Sequence, residues 1–166
     1  MTSTLESKMG ILAVLEAISI FEERYPNNDW NKLQIEHEGP FMKYEMVGND
    51  GENRNRVEIN AHTGTVIKDK QKSLKAKAKD NFRRERKKLN MNDLLPLTQV
   101  NGIAQEQARE SKPFQWELDR QKERTVWKIE FADANGEQIF EYKIDAQDGS
   151  IIQMKRSLQQ ESKKLL

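Results

Sequence analysis

The sequence predicts an α+β fold made of two units of one plan. Each is a helix packed on an antiparallel sheet of about four strands, and a basic, helical connector joins them. Three observations predict this: an internal repeat, apolar stripes at helical spacing ahead of runs that alternate in and out, and a block of bases between the two copies. Phe41 to Lys68 align without a gap on Val126 to Gln153, an offset of 85. The 28 positions share Lys43/Lys128, Glu45/Glu130, Gly51/Gly136, Glu52/Glu137, Ile59/Ile144, Ala61/Ala146 and Gly64/Gly149. The closing turns, NAHTGTVI and DAQDGSII, fall in register, and a fixed offset is the mark of a repeated structural unit.

In the first copy Ile11, Val14, Leu15, Ile18, Phe21 and Tyr25 recur at helical spacing, with Ser3 and Glu6 as a capping box ahead and Pro26-Asn27-Asn28 as the stop. Leu33 and Ile35 mark a strand. Met42, Tyr44 and Met46 then point one way from the next strand while Lys43 and Glu45 point the other. Asp50-Gly51 is a hairpin turn, because glycine supplies the positive φ that matches strand twist. Val57, Ile59 and Ala61 return, and Val66 begins a fourth strand after Thr63-Gly64. The second copy has a weaker helical stripe, Leu97, Val100, Ile103, Ala104 and Ala108, behind a Thr98 cap and ending before Pro113. Its strands carry Phe114, Trp116 and Leu118; Trp127, Ile129 and Phe131; Phe140, Tyr142, Ile144 and Ala146; and Ile151 with Ile152, with turns at Asn135-Gly136 and Asp148-Gly149. One apolar and one charged face per strand indicates a sheet covered on one side, and the helix has the stripe to cover it.

Composition agrees with two small cores. Only 36% of the 166 residues are apolar, and Leu, Ile, Val and Phe number 37, about 22% of the chain. That lies just above the range in which chains stay disordered. With 28 bases against 27 acids, self-repulsion does not oppose collapse. There is no cysteine, which excludes disulfides, thiolate metal sites and cysteine nucleophiles. No stretch reaches membrane-span length, and the most apolar run, Met9 to Phe21, is cut by Glu16, so no signal-peptide core is read. The chain as given reads as soluble, in the cytoplasm or in the cell envelope if a leader or anchor precedes it. The near-neutral total conceals a block: Lys68 to Lys88 holds eleven bases and three acids, leaving −7 for the rest.

At the closing strand the residues resemble a known family. Tyr142-Lys143-Ile144-Asp145-Ala146-Gln147-Asp148-Gly149-Ser150-Ile151-Ile152 is similar to the "D-A-x-x-G-x-I/V" ending of the PepSY domain. Val57 to Ile67 matches it except at Asn60, where the family usually has Asp. The resemblance implies cystatin-like units over residues 1–69 and 96–157, with 70–95 as connector and 158–166 as a C-terminal tail. It also implies a bacterial module that is no enzyme, takes no cofactor and acts by protein contact as a regulator or inhibitor of a peptidase.

The residues independently offer little chemistry. His37 and His62 lie in different elements, without the oriented partner and nucleophile that catalysis needs. Acid pairs such as Glu22-Glu23 and Glu36/Glu38 read as solvated faces. Asn60 with Gly64, and Asp145 with Gly149, read as structural turns in which the side chain braces the backbone. Asp148 adds too little for a metal site. Trp127 alternates in phase with Ile129 and Phe131 and reads as core. The basic connector is the feature most open to function. Leu74, Ala78 and Phe82 suggest a helix with one apolar stripe, docked on a sheet edge, and a disordered linker is the other structural reading. Lys75, Lys79, Arg83, Arg84, Arg86, Lys87 and Lys88 make it a candidate for a polyanion such as nucleic acid, a wall polymer or an anionic lipid surface. The partner, and whether the copies pack in one chain or swap between two as a homodimer, stay open.

Overall fold

The computed structural model describes residues 3–75 and 87–158. The elements are α1 (Leu5–Lys8), α2 (Val14–Arg24), β1 (Asp29–Glu38), β2 (Phe41–Asn49), β3 (Asn53–Asn60), β4 (Val66–Ser73), α3 (Leu97–Gln107), β5 (Lys112–Gln121), β6 (Arg124–Ala132), β7 (Gln138–Asp145) and β8 (Ile151–Leu158). Each copy is thus a helix followed by a four-strand antiparallel meander. The copies do not form separate sheets, however. The eight strands make one sheet in the order β4-β3-β2-β1-β5-β6-β7-β8. The seam is β1 against β5, antiparallel, pairing Leu33 with Leu118, Gln34 with Glu117 and Ile35 with Trp116. Separate units would leave β1 and β5 as free apolar edges. Pairing satisfies their backbone groups and buries Leu33, Ile35, Trp116 and Leu118 to 1% exposure or less. Only the ends of the expected connector, up to Lys75 and from Lys87, are among the described residues, and Ala78 and Phe82 lie outside them.

Element bounds reveal a pseudo-twofold relation that a single offset does not describe. From α2, β1 and β2 to α3, β5 and β6 the offset is 83, while from β3 and β4 to β7 and β8 it is 85. Hydrogen bonds agree: Ala61 N donates to Met42 O, and Ala146 N to Thr125 O. The second copy therefore carries two extra residues in its β6–β7 hairpin. Lys43/Lys128 and Glu45/Glu130 are consequently not structural counterparts. Under the offset of 83, Gln34 and Glu117 are equivalent, and they face each other at the seam.

Several local expectations are corrected. The capping box is Thr4 with Ser7 and closes the one-turn α1. Ile11 falls in the link to α2, whose first turn is capped from a distance when Val14 N donates to Glu6 Oε2 at 3.2 Å. Thr98 lies inside α3 and does not cap it; its Oγ1 accepts from Leu5 N at 2.9 Å and so ties the two copies together. Gly48 has a role within a strand. It sits within β2, where a Cβ would lie 2.7 Å from Asp29 O and 3.1 Å from the Phe21 ring.

Both helices lie on one face of the sheet. Val14, Ala17, Ile18 and Phe21 of α2, and Leu97, Val100 and Ala104 of α3, join a single core with Leu33, Tyr44, Val57, Trp116, Trp127, Ile129 and Ile144. The three tryptophans are all buried in it. Trp30 Nε1 donates to Glu22 at 3.2 Å and Trp116 Nε1 to Asn101 at 2.9 Å. No described helix covers the opposite face of the sheet, its open face.

Candidate functional site

Strand alternation dictates what the open face carries. In the first copy, residues one step out of phase with the core project there as a charge lattice. Lys43 Nζ lies 2.6 Å from Glu58, 3.0 Å from Glu38 and 3.5 Å from Glu36. Lys32 and Arg56 hold the two oxygens of Glu45 at 2.8 and 2.9 Å, and Arg56 also reaches Glu58. Burial raises the acids' pKa, but the hydrogen bonds and charges of Lys43, Lys32 and Arg56 outweigh it and hold Glu45 and Glu58 below the usual carboxylate range. In the second copy the sign reverses. Burial pushes Glu117 and Glu130 up, and the Lys128 charge beside them does not restore them. Glu130 also faces Glu141 directly across the β6–β7 ladder. One half of the face is a compensated lattice, and the other pairs Lys128 with Glu117 at 3.6 Å and sets Glu130 opposite Glu141.

Toward the β4 edge the open face becomes basic. Arg54 pairs in register with Lys72, and Arg56 with Lys70. Lys68 reaches Glu58 at 3.6 Å, whereas Arg54, Lys70 and Lys72 have no ion-pair partner among the described residues. The chain then leaves through Leu74, whose N–H donates to Glu52 O, and exposed Lys75. It returns at exposed Lys87, whose carbonyl accepts from Asn31, and at Leu89, whose N–H donates to Trp30 O. Lys88 lies 3.5 Å from Asp29 and is half-buried. The sheet thus places Arg54, Lys70 and Lys72, which the sequence reading omitted, near both connector ends. The alternation of Lys68, Lys70 and Lys72 along one strand was the signal for them. Lys79, Arg83, Arg84 and Arg86 lie outside the described residues.

The turn residues have explicit geometry. Asn60 Oδ1 accepts from His62 N at 2.8 Å and Thr63 N at 3.3 Å, and Asp145 Oδ1 from Gln147 N at 2.8 Å and Asp148 N at 2.9 Å. Gly64 and Gly149, at φ +79° and +81°, complete these turns and pack against Leu12 and Ile103. His62 is more than a surface residue. Its Nε2 accepts from Met42 N at 3.0 Å and its Nδ1 meets Gly10 O at 2.9 Å, so the ring clamps the α1–α2 link to β2. Its counterpart Gln147 donates from Nε2 to Asn90 O and Asn92 O in the link ahead of α3. Among the described residues no group of three or more His, Asp or Glu side chains converges as a metal site.

The copies differ most at their outer edges. In the first, Asp69 of β4 accepts hydrogen bonds from Arg24 and Tyr25 at the end of α2. Burial raises the Asp69 pKa, but these bonds and the Arg24 charge hold it below the ordinary range, while burial and the Asp69 contact push Tyr25 up to about 12. In the second, the equivalent residues are Met154, Gln107 and Ala108. Farther in, bulged Asn31, bonded to Asn49, is replaced by bulged Phe114 beside Ala132 and Ile139. These three line an open cleft of about 460 Å³ next to the longer hairpin.

Comparison with known proteins agrees with this architecture. The model of the "peptidase propeptide and YPEB domain" family, PepSY, matches residues 12–70 and 95–155. No curated protein matches. Among solved structures, a Clostridium difficile 630 protein described as a putative lipoprotein is similar at 25% identity, over 88% of this chain and 93% of that one, with a TM-score of 0.81. A DUF2874 family protein from Bacteroides uniformis ATCC 8492 is 13% identical over 87% and 90% of the two chains, with a TM-score of 0.33. The two family matches coincide with the two halves of one continuous sheet, and the chain belongs to the PepSY family as a tandem member.

Proposed function

We propose that this chain is a non-catalytic interaction module that regulates a peptidase by direct contact. The observation that carries the reading is the one-sided sheet. Among the described residues the helices cover one face only, so the eight strands present their other face and two outer edges to a protein partner. The PepSY match supports a peptidase as that partner. The test is to titrate the purified chain into a panel of bacterial peptidases and to follow turnover. Slowed turnover at stoichiometric protein supports the reading. Unchanged rates throughout, with no peptidase retained on the immobilised chain, overturn it.

A second reading has its own observation, that Arg54, Lys70 and Lys72 lie at the same end of the sheet as Lys75, Lys87 and Lys88. Phosphate polymers gain from such a surface through counterion release. Retention on heparin should fall steeply with salt, and Lys70→Glu with Lys72→Glu should flatten that slope. Retention that ignores salt counts against it.

A further inference from the structure

We propose that the outer edge of β8 is a strand-addition site for an extended segment of a protein partner, with apolar side chains flanking an acidic one on its helix-side face. This rests on the protein-binding reading above and names its surface. An edge strand presents a row of unpaired backbone N–H and C=O groups, and proteins ordinarily guard it with charge or cover. The pseudo-twofold relation supplies an internal control, since β4 and β8 are counterparts. β4 is guarded: Lys68, Lys70 and Lys72 line one face, and Asp69, locked to Arg24 and Tyr25, seals the other.

β8 keeps one of these bases, Lys155 at the place of Lys70, while Gln153 and Ser157 stand where β4 has Lys68 and Lys72. Asp69, Gln71 and Ser73 are replaced by Met154, Arg156 and Leu158, which the β7 register places opposite Tyr142, Phe140 and Gln138 on the helix side. Ala108 replaces Tyr25, so no aromatic ring reaches out from the end of α3. Of the five exposed large hydrophobic residues among the described residues, three are on this strand: Ile151 at 44%, Met154 at 54% and Leu158 at 45%. An exposed apolar stripe on a thinly guarded edge matches peptide recognition by added strands, in which the backbone supplies affinity and alternate side chains specificity.

Charge selects the occupant. Ile151–Leu158 contains Lys155 and Arg156 and no acid. Arg156 stands between Met154 and Leu158 with no ion pair among the described residues. An antiparallel twofold pairing of two β8 strands centred here would set Lys155 against Lys155 or Arg156 against Arg156, which is destabilising. The chain's own residues 159–166 bring Lys163 and Lys164 against the single acid Glu161, a net charge of the same sign. A partner strand of apolar–acidic–apolar alternation fits both the stripe and the charge.

The probe is a fluorescein-labelled peptide with Ile, Glu and Leu at every second position and Ser or Thr between, followed by anisotropy and by amide exchange of the full chain. Binding is expected, with slowed exchange of the outward amides of β8. Met154→Lys or Leu158→Lys should each weaken it about tenfold, the loss of roughly one buried apolar side chain. Arg156→Glu should exchange preference for a peptide carrying Lys in place of Glu, a rescue that general damage to the fold does not produce. All three residues are exposed, so thermal unfolding should be unchanged. No binding, binding indifferent to N-methylation of alternate peptide amides, or protection away from β8 overturns the proposal. So does β8 protection without peptide, whether it follows protein concentration, indicating a second copy, or accompanies residues 159–166, indicating the tail. A peptidase still inhibited by Met154→Lys overturns the β8 assignment and leaves the protein-binding reading standing; a wild-type chain that inhibits no peptidase yet binds the probe does the reverse.

Discussion

Leu33→Ala tests whether the two copies fold as one body. Leu33 is fully buried on β1, paired on one side with Met46 of β2 and on the other with Leu118 across the seam. Truncating a buried leucine costs about 2–5 kcal/mol, the transfer of the lost methyl groups plus the cavity left behind. A central value of about 3 kcal/mol raises the opening equilibrium by roughly a hundredfold. Continuous backbone pairing across the seam and a shared core require that the cost be felt in both halves. The assay is native-state amide hydrogen exchange, which reads opening free energies residue by residue. The slowest amides of β3 and of β7, in different copies and each two strands from the seam strand of its own copy, should lose the same protection. A large loss in β3 with β7 unchanged would refute the argument, because it would mean that the copies open independently and the seam is an incidental contact.

Two other expectations follow from single positions. Gly48→Ala should destabilise by about 1–3 kcal/mol, since the added Cβ meets backbone Asp29 O at 2.7 Å and cannot be accommodated by rotamer changes; equilibrium urea unfolding measures it, and a neutral result would show that β1 and β2 shift apart freely. Glu130→Gln should stabilise at neutral pH by a few tenths of a kcal/mol, the scale of a like-charge pair across a ladder. Its folded pKa is raised, so the native state binds more protons than the unfolded one and stability falls as pH climbs out of the carboxylate range. The gain over wild type should therefore vanish in acid; a gain that persists there would count against the Glu130–Glu141 opposition.

Much of this architecture was legible because strand periodicity is strict. Met42, Tyr44 and Met46, or Trp127, Ile129 and Phe131, declare their face without reference to any neighbour. What was not legible depends on pairing. A shift of two residues leaves in–out alternation intact, so an alignment at 85 hid the offset of 83 in the first half of each copy. It matched Glu45 to Glu130, when the counterpart of Glu45 is Lys128. The seam was hidden for a related reason: Leu33-Gln34-Ile35 reads alike whether β1 ends a sheet or lies in its middle. Thr98 and Glu6 carried ordinary capping signals whose partners, Leu5 N and Val14 N, only folding brings near. The candidate bases of the connector were chosen by density along the chain, whereas Arg54 comes from a strand that contributes no comparable run.

Duplication also explains where function is sought in this molecule. Residues that serve the fold are constrained in both copies alike, and they are: the turn side chains Asn60 and Asp145, the glycines behind them, and the paired clamps His62 and Gln147. Positions that differ between equivalent places are not required by the fold, because the other copy folds without them. By that criterion the buried lysine lattice of the first copy, the raised glutamates of the second, the exchange of Asn31 for Phe114 and the exchange of Asp69 for Met154 are free to answer to partners. Most of these could be compensated changes of surface. The last exposes apolar area on a thinly protected edge at a cost in solubility that nothing within the described fold recovers, so the β8 edge is the position at which a partner most directly accounts for the divergence.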